Sequence, residues 1–312
     1  MSEGRDRRAF VRSSLAASTA LGLAASRGVF ADVAAQATEP KKASLPQRAL
    51  GKTGRQVSIY GLGGLFTVSM HDRHDEAVEI VNRAIDLGVN YIDTSAWYGT
   101  GASELNIGTV MKKRRNEVFL ASKSHDYTYD GTMALFDQTL KRLQTDHLDL
   151  YQHHMLGGFA KLEQLRQKHS AREAFERLRD KGAIRYIGVT SHSSRVLADA
   201  LEDYPYDCAL ITLNAAGAVM NDAEDLDRFF RVAKAREVGV IAMKVVGRGA
   251  LIKPDLDVRR LLHYVLSHPV STAIVGISAL SHLEENVRLA REFEPLTDKE
   301  MADLRVAARA YA

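Results

Sequence analysis

The sequence contains one cysteine, Cys208, one tryptophan and 6 prolines among its 312 residues. A single cysteine excludes an intrachain disulfide, a cysteine-based zinc site and an iron–sulfur cluster. Neither sign of charge dominates, because 42 lysines and arginines stand against 39 acidic residues and the net charge is +3. This balance gives no reason to expect a nucleic acid as a partner. With 46% hydrophobic residues, the composition is that of a folded globular protein.

The first forty residues have the composition of an export signal. A basic segment at 5–12 precedes an Ala- and Ser-rich stretch at 13–25, which is shorter than the roughly 20 apolar residues that span a membrane. Within the basic segment, Arg7-Arg8 followed by Phe10-Val11 resembles the twin-arginine export motif.

We therefore predict a twin-arginine signal peptide over residues 1–37, with cleavage after Ala37 favoured over cleavage after Ala31. The predicted partner of this segment is the twin-arginine export machinery, and the predicted location is periplasmic or otherwise exported, without stable membrane insertion. The alternative is a basic amphipathic first helix of the folded protein. That alternative is disfavoured because 13–37 lacks helical apolar periodicity.

Residues 38–312 alternate short apolar runs with amphipathic segments, and their length of about 275 residues suits one (β/α)8 TIM barrel. The predicted strands are 58–62, 90–93, 118–123, 148–153, 186–190, 209–213, 239–244 and 272–275. The predicted helices are 75–87, 103–113, 132–143, 172–179, 194–201, 226–237, 258–266 and 283–292. An N-terminal hairpin at 45–56 and an extra C-terminal helix at 298–310 complete a single domain. A doubly wound sheet is the alternative, but eight strand–helix alternations favour the closed barrel.

Four polar side chains of different chemistry follow the ends of neighbouring predicted strands. Asp93 ends the second strand, Tyr98 lies shortly after it, Lys123 ends the third strand and His154 follows the fourth. In (β/α)8 barrels the chemistry lies at the carboxyl ends of the strands, so we expect these four side chains to face one mouth. Because side chains alternate along a strand, only one of His153 and His154 can do so.

Simpler explanations exist for some of these residues taken singly. Asp93 alone would be a helix cap or loop acid, and Tyr98 alone a packed aromatic. Lys123 is harder to explain, because an unpaired ammonium at the end of an apolar strand is costly, and Asp93 could pair with it. A metal site is a weak alternative, since no third ligand stands at suitable spacing, and we predict no metal.

Taken together, these residues suggest delivery of a proton to a carbonyl oxygen. A phenol has an unperturbed pKa of about 10, which is too high for an efficient acid at neutral pH. A neighbouring ammonium stabilises the phenolate and lowers that pKa. Asp93 would hold Lys123, and a neutral imidazole can orient a carbonyl oxygen without adding a second charge.

The chain resembles the aldo-keto reductases over residues 45–292. Six motifs carry the resemblance in the right order on the predicted strands: Gly51 to Gly64, Gly88 to Gly99, Ser103 to Lys123, Leu148 to His154, Gly182 to Ser191 and Leu283 to Asn286. The resemblance implies that Tyr98 is the general acid/base, that Lys123 and Asp93 support it, and that His154 orients the substrate.

The resemblance also implies direct hydride exchange with NADP, or with NAD as the less favoured alternative. The predicted cofactor-binding residues are Gly64, Ser191, His192, Asn214, Met243, Lys244, Gly247, Gly276, Ser278, His282, Glu285 and Asn286. Several of these positions depart from the family. Met243 stands where a tyrosine often covers the nicotinamide, Lys244 replaces a small residue and could contact the pyrophosphate, and His282 replaces an arginine that holds the 2′-phosphate.

The favoured function is reduction of an aldehyde or ketone to an alcohol. The alternative is a nicotinamide-nucleotide-binding regulatory or redox-sensing subunit with little turnover, and a (β/α)8 protein with unrelated chemistry is a third. The chain after Asn286 is short, so we expect an open pocket with broad acceptance of small carbonyl or alcohol substrates. The loops predicted to set specificity are 66–73, 126–131, 156–170 and 215–225.

Overall fold

A computed structural model describes residues 44–311 of the chain. The predicted signal peptide, residues 1–37, lies outside the described residues and stays a prediction. Within 44–311, no helix combines the length and apolar character that crossing a membrane requires.

Eight parallel strands close into a barrel. Two short strands precede them, β1 (Gln47–Ala49) and β2 (Gln56–Ser58), which pair antiparallel as a hairpin. The barrel strands are β3 (Tyr60–Phe66), β4 (Tyr91–Asp93), β5 (Phe119–Ser124), β6 (Leu148–His153), β7 (Ile184–Ser191), β8 (Cys208–Thr212), β9 (Gly239–Met243) and β10 (Thr272–Ile277). They follow one another in chain order around the barrel, and β10 closes it by pairing with β3.

Helices surround the barrel and fill the connections between strands. They are α1 (His74–Asp86), α2 (Ala102–Arg114), α3 (Tyr129–Leu143), α4 (Phe159–Arg166), α5 (Ala171–Asp180), α6 (Ser194–Asp203), α7 (Leu226–Ala235), α8 (Val258–Leu266), α9 (Leu280–Arg291) and α10 (Asp298–Arg309). Helix α4 belongs to the loop after β6, and α10 is the extra C-terminal helix. The predicted (β/α)8 TIM barrel is therefore confirmed, together with its N-terminal hairpin.

The hairpin packs on the amino-terminal end of the barrel. The Tyr186 hydroxyl on β7 donates to the carbonyl of Thr53 at 2.7 Å, and Lys52 N donates to the carbonyl of Glu237 at the same distance. Gly51 has a φ of +51°, and a Cβ there would lie 2.2 Å from Gly239 N. A side chain at Gly51 would thus push the hairpin off β9.

Aromatic and aliphatic side chains fill the lower barrel interior. Tyr91 and Phe119 stack with ring centroids 5.4 Å apart, and Phe119 stacks on Tyr186 at 6.0 Å. Leu150 and Ile241 are buried beside them. Because this layer closes the floor, the functional cavity opens at the carboxyl ends of the strands.

Candidate active site

All four predicted catalytic residues line one cavity of about 480 Å³ at the carboxyl end of the barrel. Asp93 ends β4 and Lys123 lies on β5, so the parallel pairing of these strands brings their side chains together. Tyr98 lies in the loop after β4, and His154 directly follows β6. The other histidine of the pair, His153, is buried against Phe175 outside the barrel interior, with ring centroids 4.1 Å apart. Because side chains alternate along β6, His154 rather than His153 faces the cavity.

Lys123 is completely buried and forms an ion pair with Asp93. Its ammonium also donates to the carbonyl of Thr94 at 2.7 Å and to the Tyr98 hydroxyl at 3.3 Å. Burial alone would lower the pKa of Lys123, but the interactions of the ammonium with Asp93 and Tyr98 outweigh this effect and the pKa is raised. Lys123 is therefore a fixed cation beside the phenol.

Asp93 is held from two sides. Lys123 bonds to Oδ1, and Gln152 Nε2 donates to Oδ2 at 3.2 Å. Burial raises the pKa of the Asp93 carboxyl, and Lys123 opposes this only in part. Gln152 is fully buried on β6 and was not among the residues predicted for the site. Its partner across the sheet is Gly188, where a Cβ would lie 2.8 Å from Gln152 Cγ, so the glycine makes room for this side chain.

The pKa of the Tyr98 hydroxyl is raised, because burial outweighs the opposing effect of Lys123. The predicted influence of Lys123 has the expected direction, but the expectation of a net lowered pKa is not met in this structure. A phenol near a fixed ammonium still loses its proton more easily than the same phenol without it. The ammonium also lies 4.8 Å from the centre of the Tyr98 ring.

His154 is an uncharged imidazole at neutral pH. Burial, followed by the charge of Lys123, lowers the pKa of His154 to about 2. Its Nδ1 lies 3.1 Å from the hydroxyl oxygen of Ser95, a residue that the sequence analysis did not single out. The Tyr98 ring approaches the His154 ring edge-on, with centroids 5.7 Å apart. The phenol of Tyr98 and the imidazole of His154 thus lie side by side and line the same cavity.

Large apolar side chains surround the mouth of the cavity. Phe66, Trp97 and Met155 are 45%, 56% and 37% exposed, and all three line the cavity. Phe66 and Met155 have φ values of +60° and +56°, which are strained for residues other than glycine. Phe66 begins the loop 66–73 that was predicted to set specificity. Trp97 and Met155 were not singled out, because their exposure follows from loop geometry rather than from periodicity.

Six of the predicted cofactor-binding residues line the cavity: Gly64, Ser191, His192, Met243, Lys244 and Gly276. Lys244 follows β9 with a φ of +62°. Burial and the nearby charge of Arg248 lower the pKa of Lys244 to about 8, and no hydrogen bond from another described residue offsets this. The cavity therefore contains a cation that lacks an anionic partner within residues 44–311.

The other six predicted cofactor-binding residues do not line the cavity: Asn214, Gly247, Ser278, His282, Glu285 and Asn286. The side chain of Asn214 instead donates to the carbonyls of Ala218 at 2.8 Å and Lys244 at 3.2 Å, so it holds the loops after β8 and β9 together. Glu285 pairs with Arg288 at 2.7 Å. A role for these six residues in binding the cofactor stays a prediction.

Within the described part of the chain, no group of three or more His, Cys, Asp or Glu side chains is placed to hold a metal ion. The ionisable groups that the site offers are a phenol, an ammonium, a carboxylate and an imidazole. These groups can donate a proton to an oxygen atom that binds between Tyr98 and His154.

The chain is similar to proteins of one known family. The sequence profile of the Aldo/keto reductase family matches residues 59–261. L-galactose dehydrogenase of Arabidopsis thaliana is 28% identical over 288 residues, covering 80% of this chain and 89% of that protein. The NADP(+) aldo-keto reductase yakc of Schizosaccharomyces pombe is 26% identical over 225 residues, covering 67% of this chain and 63% of that protein.

A solved structure shows the same architecture. The holo form of aldo-keto reductase AKR11C1 from Bacillus halodurans superposes with a TM-score of 0.72 at 25% identity, covering 85% of this chain and 97% of that chain. The family profile spans most of the barrel, including Asp93, Tyr98, Lys123 and His154. The chain therefore belongs to the aldo/keto reductase family of NAD(P)-dependent oxidoreductases.

Proposed function

We propose that this chain is an NADP(H)-dependent carbonyl reductase that converts an aldehyde or ketone to an alcohol, with Tyr98 as the proton donor. The observation that carries the proposal is the buried Lys123–Asp93 pair against the Tyr98 hydroxyl, beside the neutral His154. This arrangement is suited to an oxygen atom that gains negative charge and then a proton.

The cavity offers groups that suit the nicotinamide and the pyrophosphate of a dinucleotide. Lys244 supplies a cation that has no ion-pair partner within residues 44–311, and such a cation is suited to bind a pyrophosphate. At Gly276 a Cβ would lie 2.7 Å from the Phe66 ring, and at Gly63 it would lie 3.0 Å from Gly276 N, so glycines keep this side of the cavity open. Met243 lines the wall and offers a thioether to an aromatic face. The bound nicotinamide supplies the hydride for carbonyl reduction and accepts it in the reverse reaction.

The residues of the chain perform the proton transfer. Tyr98 donates its hydroxyl proton to the carbonyl oxygen of the substrate, and the ammonium of Lys123 stabilises the phenolate that remains. Asp93 and Gln152 hold Lys123 in place through the carboxylate. His154, which carries no charge, orients the carbonyl oxygen next to the phenol.

The substrate proposed from the rim has an apolar or planar group beside its carbonyl. Phe66, Trp97 and Met155 offer exposed apolar surface at the mouth, which suits several small carbonyl compounds rather than one.

The test compares wild type with Tyr98→Phe, which removes one hydroxyl and little volume. NADPH oxidation is followed at saturating aromatic aldehyde, and NADPH affinity is measured separately by fluorescence. We expect turnover in wild type, a fall of kcat by about 10²-fold or more in Tyr98→Phe, and unchanged NADPH affinity. NADPH binding without turnover in wild type, across a panel of aldehydes and ketones, would instead favour the regulatory subunit. Absence of NADPH binding would contradict the cofactor assignment.

We also propose that the protein is exported through the twin-arginine pathway. The proposal rests on Arg7-Arg8 and on the short apolar stretch that follows them. That pathway transports folded proteins, so an exported reductase could acquire its nucleotide before it leaves the cytoplasm.

A further inference from the structure

Ser95 lies between β4 and Tyr98 and is completely buried. Its hydroxyl oxygen is 3.1 Å from Nδ1 of His154. The same oxygen accepts a hydrogen bond from the backbone N–H of Trp97 at 3.2 Å. Ser95 therefore links the loop that carries Tyr98 to the imidazole on the neighbouring side of the cavity.

The hydrogen-bond network determines which partner donates. A hydroxyl carries one proton, and the Trp97 N–H already supplies a donor to the Ser95 oxygen. Among the described residues, His154 Nδ1 is the one remaining hydrogen-bond partner of this oxygen. If Nδ1 carried a proton, the proton of Ser95 would be buried without an acceptor, which is unfavourable. Ser95 therefore donates and Nδ1 accepts.

A neutral imidazole has one N–H, so an Nδ1 that accepts leaves the proton on Nε2. The doubly protonated ring is excluded at neutral pH by the pKa of about 2 that burial and Lys123 impose on His154. Two further contacts fix the backbone of His154: the Tyr127 hydroxyl donates to its carbonyl at 2.8 Å, and its N–H donates to Ser124 O at 2.8 Å. His154 is thus held both through its backbone and through Nδ1 of its ring.

We propose that Ser95 is a positioning residue that fixes His154 as the Nε2–H tautomer, so that Nε2–H donates a hydrogen bond to the carbonyl oxygen of the substrate. This inference rests on the proposed reductase function. The opposite tautomer would direct a nitrogen lone pair at the carbonyl oxygen and repel it. The Nε2–H donor strengthens as negative charge builds on that oxygen, so the tautomer matters more in the transition state than in the ground state.

The tautomer is measured directly by long-range 1H–15N correlation spectra of the full chain with 15N-labelled histidine. The His154 signals are assigned by their loss in His154→Gln. We expect the Nε2–H pattern in wild type and a loss of that single tautomer in Ser95→Ala. We also expect kcat to fall about tenfold in Ser95→Ala with unchanged NADPH affinity, as for one lost hydrogen bond of this kind. Ser95→Thr, which keeps the hydroxyl, should restore the Nε2–H pattern and most of kcat.

The matched control is Ser58→Ala. It removes another completely buried serine hydroxyl, one that donates to Tyr60 O at 2.8 Å at the amino-terminal end of the barrel and does not contact the histidine ring. We expect its tautomer and kcat to match wild type. An Nδ1–H pattern in wild type, or an unchanged His154 pattern in Ser95→Ala, would overturn the inference. Because the spectra need no substrate, they test Ser95 even if the reductase function itself fails.

Discussion

At the residue scale, Lys244 is the side chain through which pH should control cofactor binding. Its pKa of about 8 means that the ammonium is present below that pH and is lost above it. A bound pyrophosphate favours the ammonium, so NADPH affinity should be constant below pH about 8 and should weaken at higher pH. Fluorescence titrations across this range measure the effect. In Lys244→Met we expect affinity about tenfold weaker at neutral pH and little change as pH rises.

The control for Lys244 is Lys253→Met, because Lys253 lies farther along the same connection and is not part of the cavity wall. This variant should reproduce the wild-type pH profile. Unchanged NADPH affinity in Lys244→Met at low salt would contradict the assignment of Lys244 to the pyrophosphate.

The residues that we propose as catalytic were predictable from the sequence, whereas the residues that hold them mostly were not. Asp93, Lys123 and His154 stand at strand ends, where a polar residue in an apolar run is conspicuous. Ser95 is an ordinary loop serine until the barrel closes and brings it within 3.1 Å of His154. Gln152 did leave a signal, because it lies two residues before His154 and so shares its face of β6.

At the element scale, the contact between α2 and α3 depends on Gly108. A Cβ at this position would lie 2.0 Å from the carbonyl oxygen of Arg142 and 2.9 Å from Leu143 Cα, and both are backbone atoms that cannot turn away. Gly108→Ala should therefore force the helices apart and lower the free energy of unfolding by about 2 kcal/mol or more. Urea unfolding followed by circular dichroism measures this change.

Gly157→Ala is the control for the helix contact. Its Cβ would meet nothing nearer than Met155 O at 3.7 Å, and the position has no left-handed φ. We expect its unfolding curve to match wild type. Equal stability of Gly108→Ala and Gly157→Ala would show that the packing of α2 on α3 is looser than the structure indicates.

The strands and helices were largely predictable from the apolar runs and amphipathic segments of the sequence. The strand predicted at 148–153 has the bounds of β6, Leu148–His153. The first barrel strand was predicted at 58–62 but runs over Tyr60–Phe66. Gly61 and Gly63 lie within β3, where neighbouring strands approach closely. Helix α9 begins at Leu280, three residues before the predicted start at 283, because no strong capping residue marks its beginning.

At the scale of the whole molecule, the export proposal predicts where the protein accumulates. Expressed as the full chain in a bacterium with a working twin-arginine translocase, the wild type should appear in the periplasm. Replacing Arg7 and Arg8 together by lysine keeps the charge but removes the twin-arginine pattern, so that variant should stay in the cytoplasm. Fractionation followed by immunoblotting measures the distribution. Equal export of the two forms would contradict a twin-arginine signal.

The closed barrel explains why polar side chains from separate segments of the chain lie close together. Strands β4, β5 and β6 are consecutive neighbours, so Asp93, Lys123 and His154 are adjacent although 61 residues separate the first from the last. The resemblance assigned Glu285 to the cofactor site, but in the structure Glu285 does not line the cavity and its carboxylate is paired with Arg288.

The central claim is direct carbonyl reduction with Tyr98 as the acid, and isotope transfer tests it most directly. NADPH that carries deuterium on the transferred position of the nicotinamide is mixed with wild type or Tyr98→Phe and an aromatic aldehyde. The alcohol is then analysed by mass spectrometry and NMR. We predict that the wild-type alcohol carries one deuterium on the former carbonyl carbon, and that Tyr98→Phe forms it at least about 10²-fold more slowly. Alcohol without deuterium, or equal rates in the two proteins, would contradict the claim.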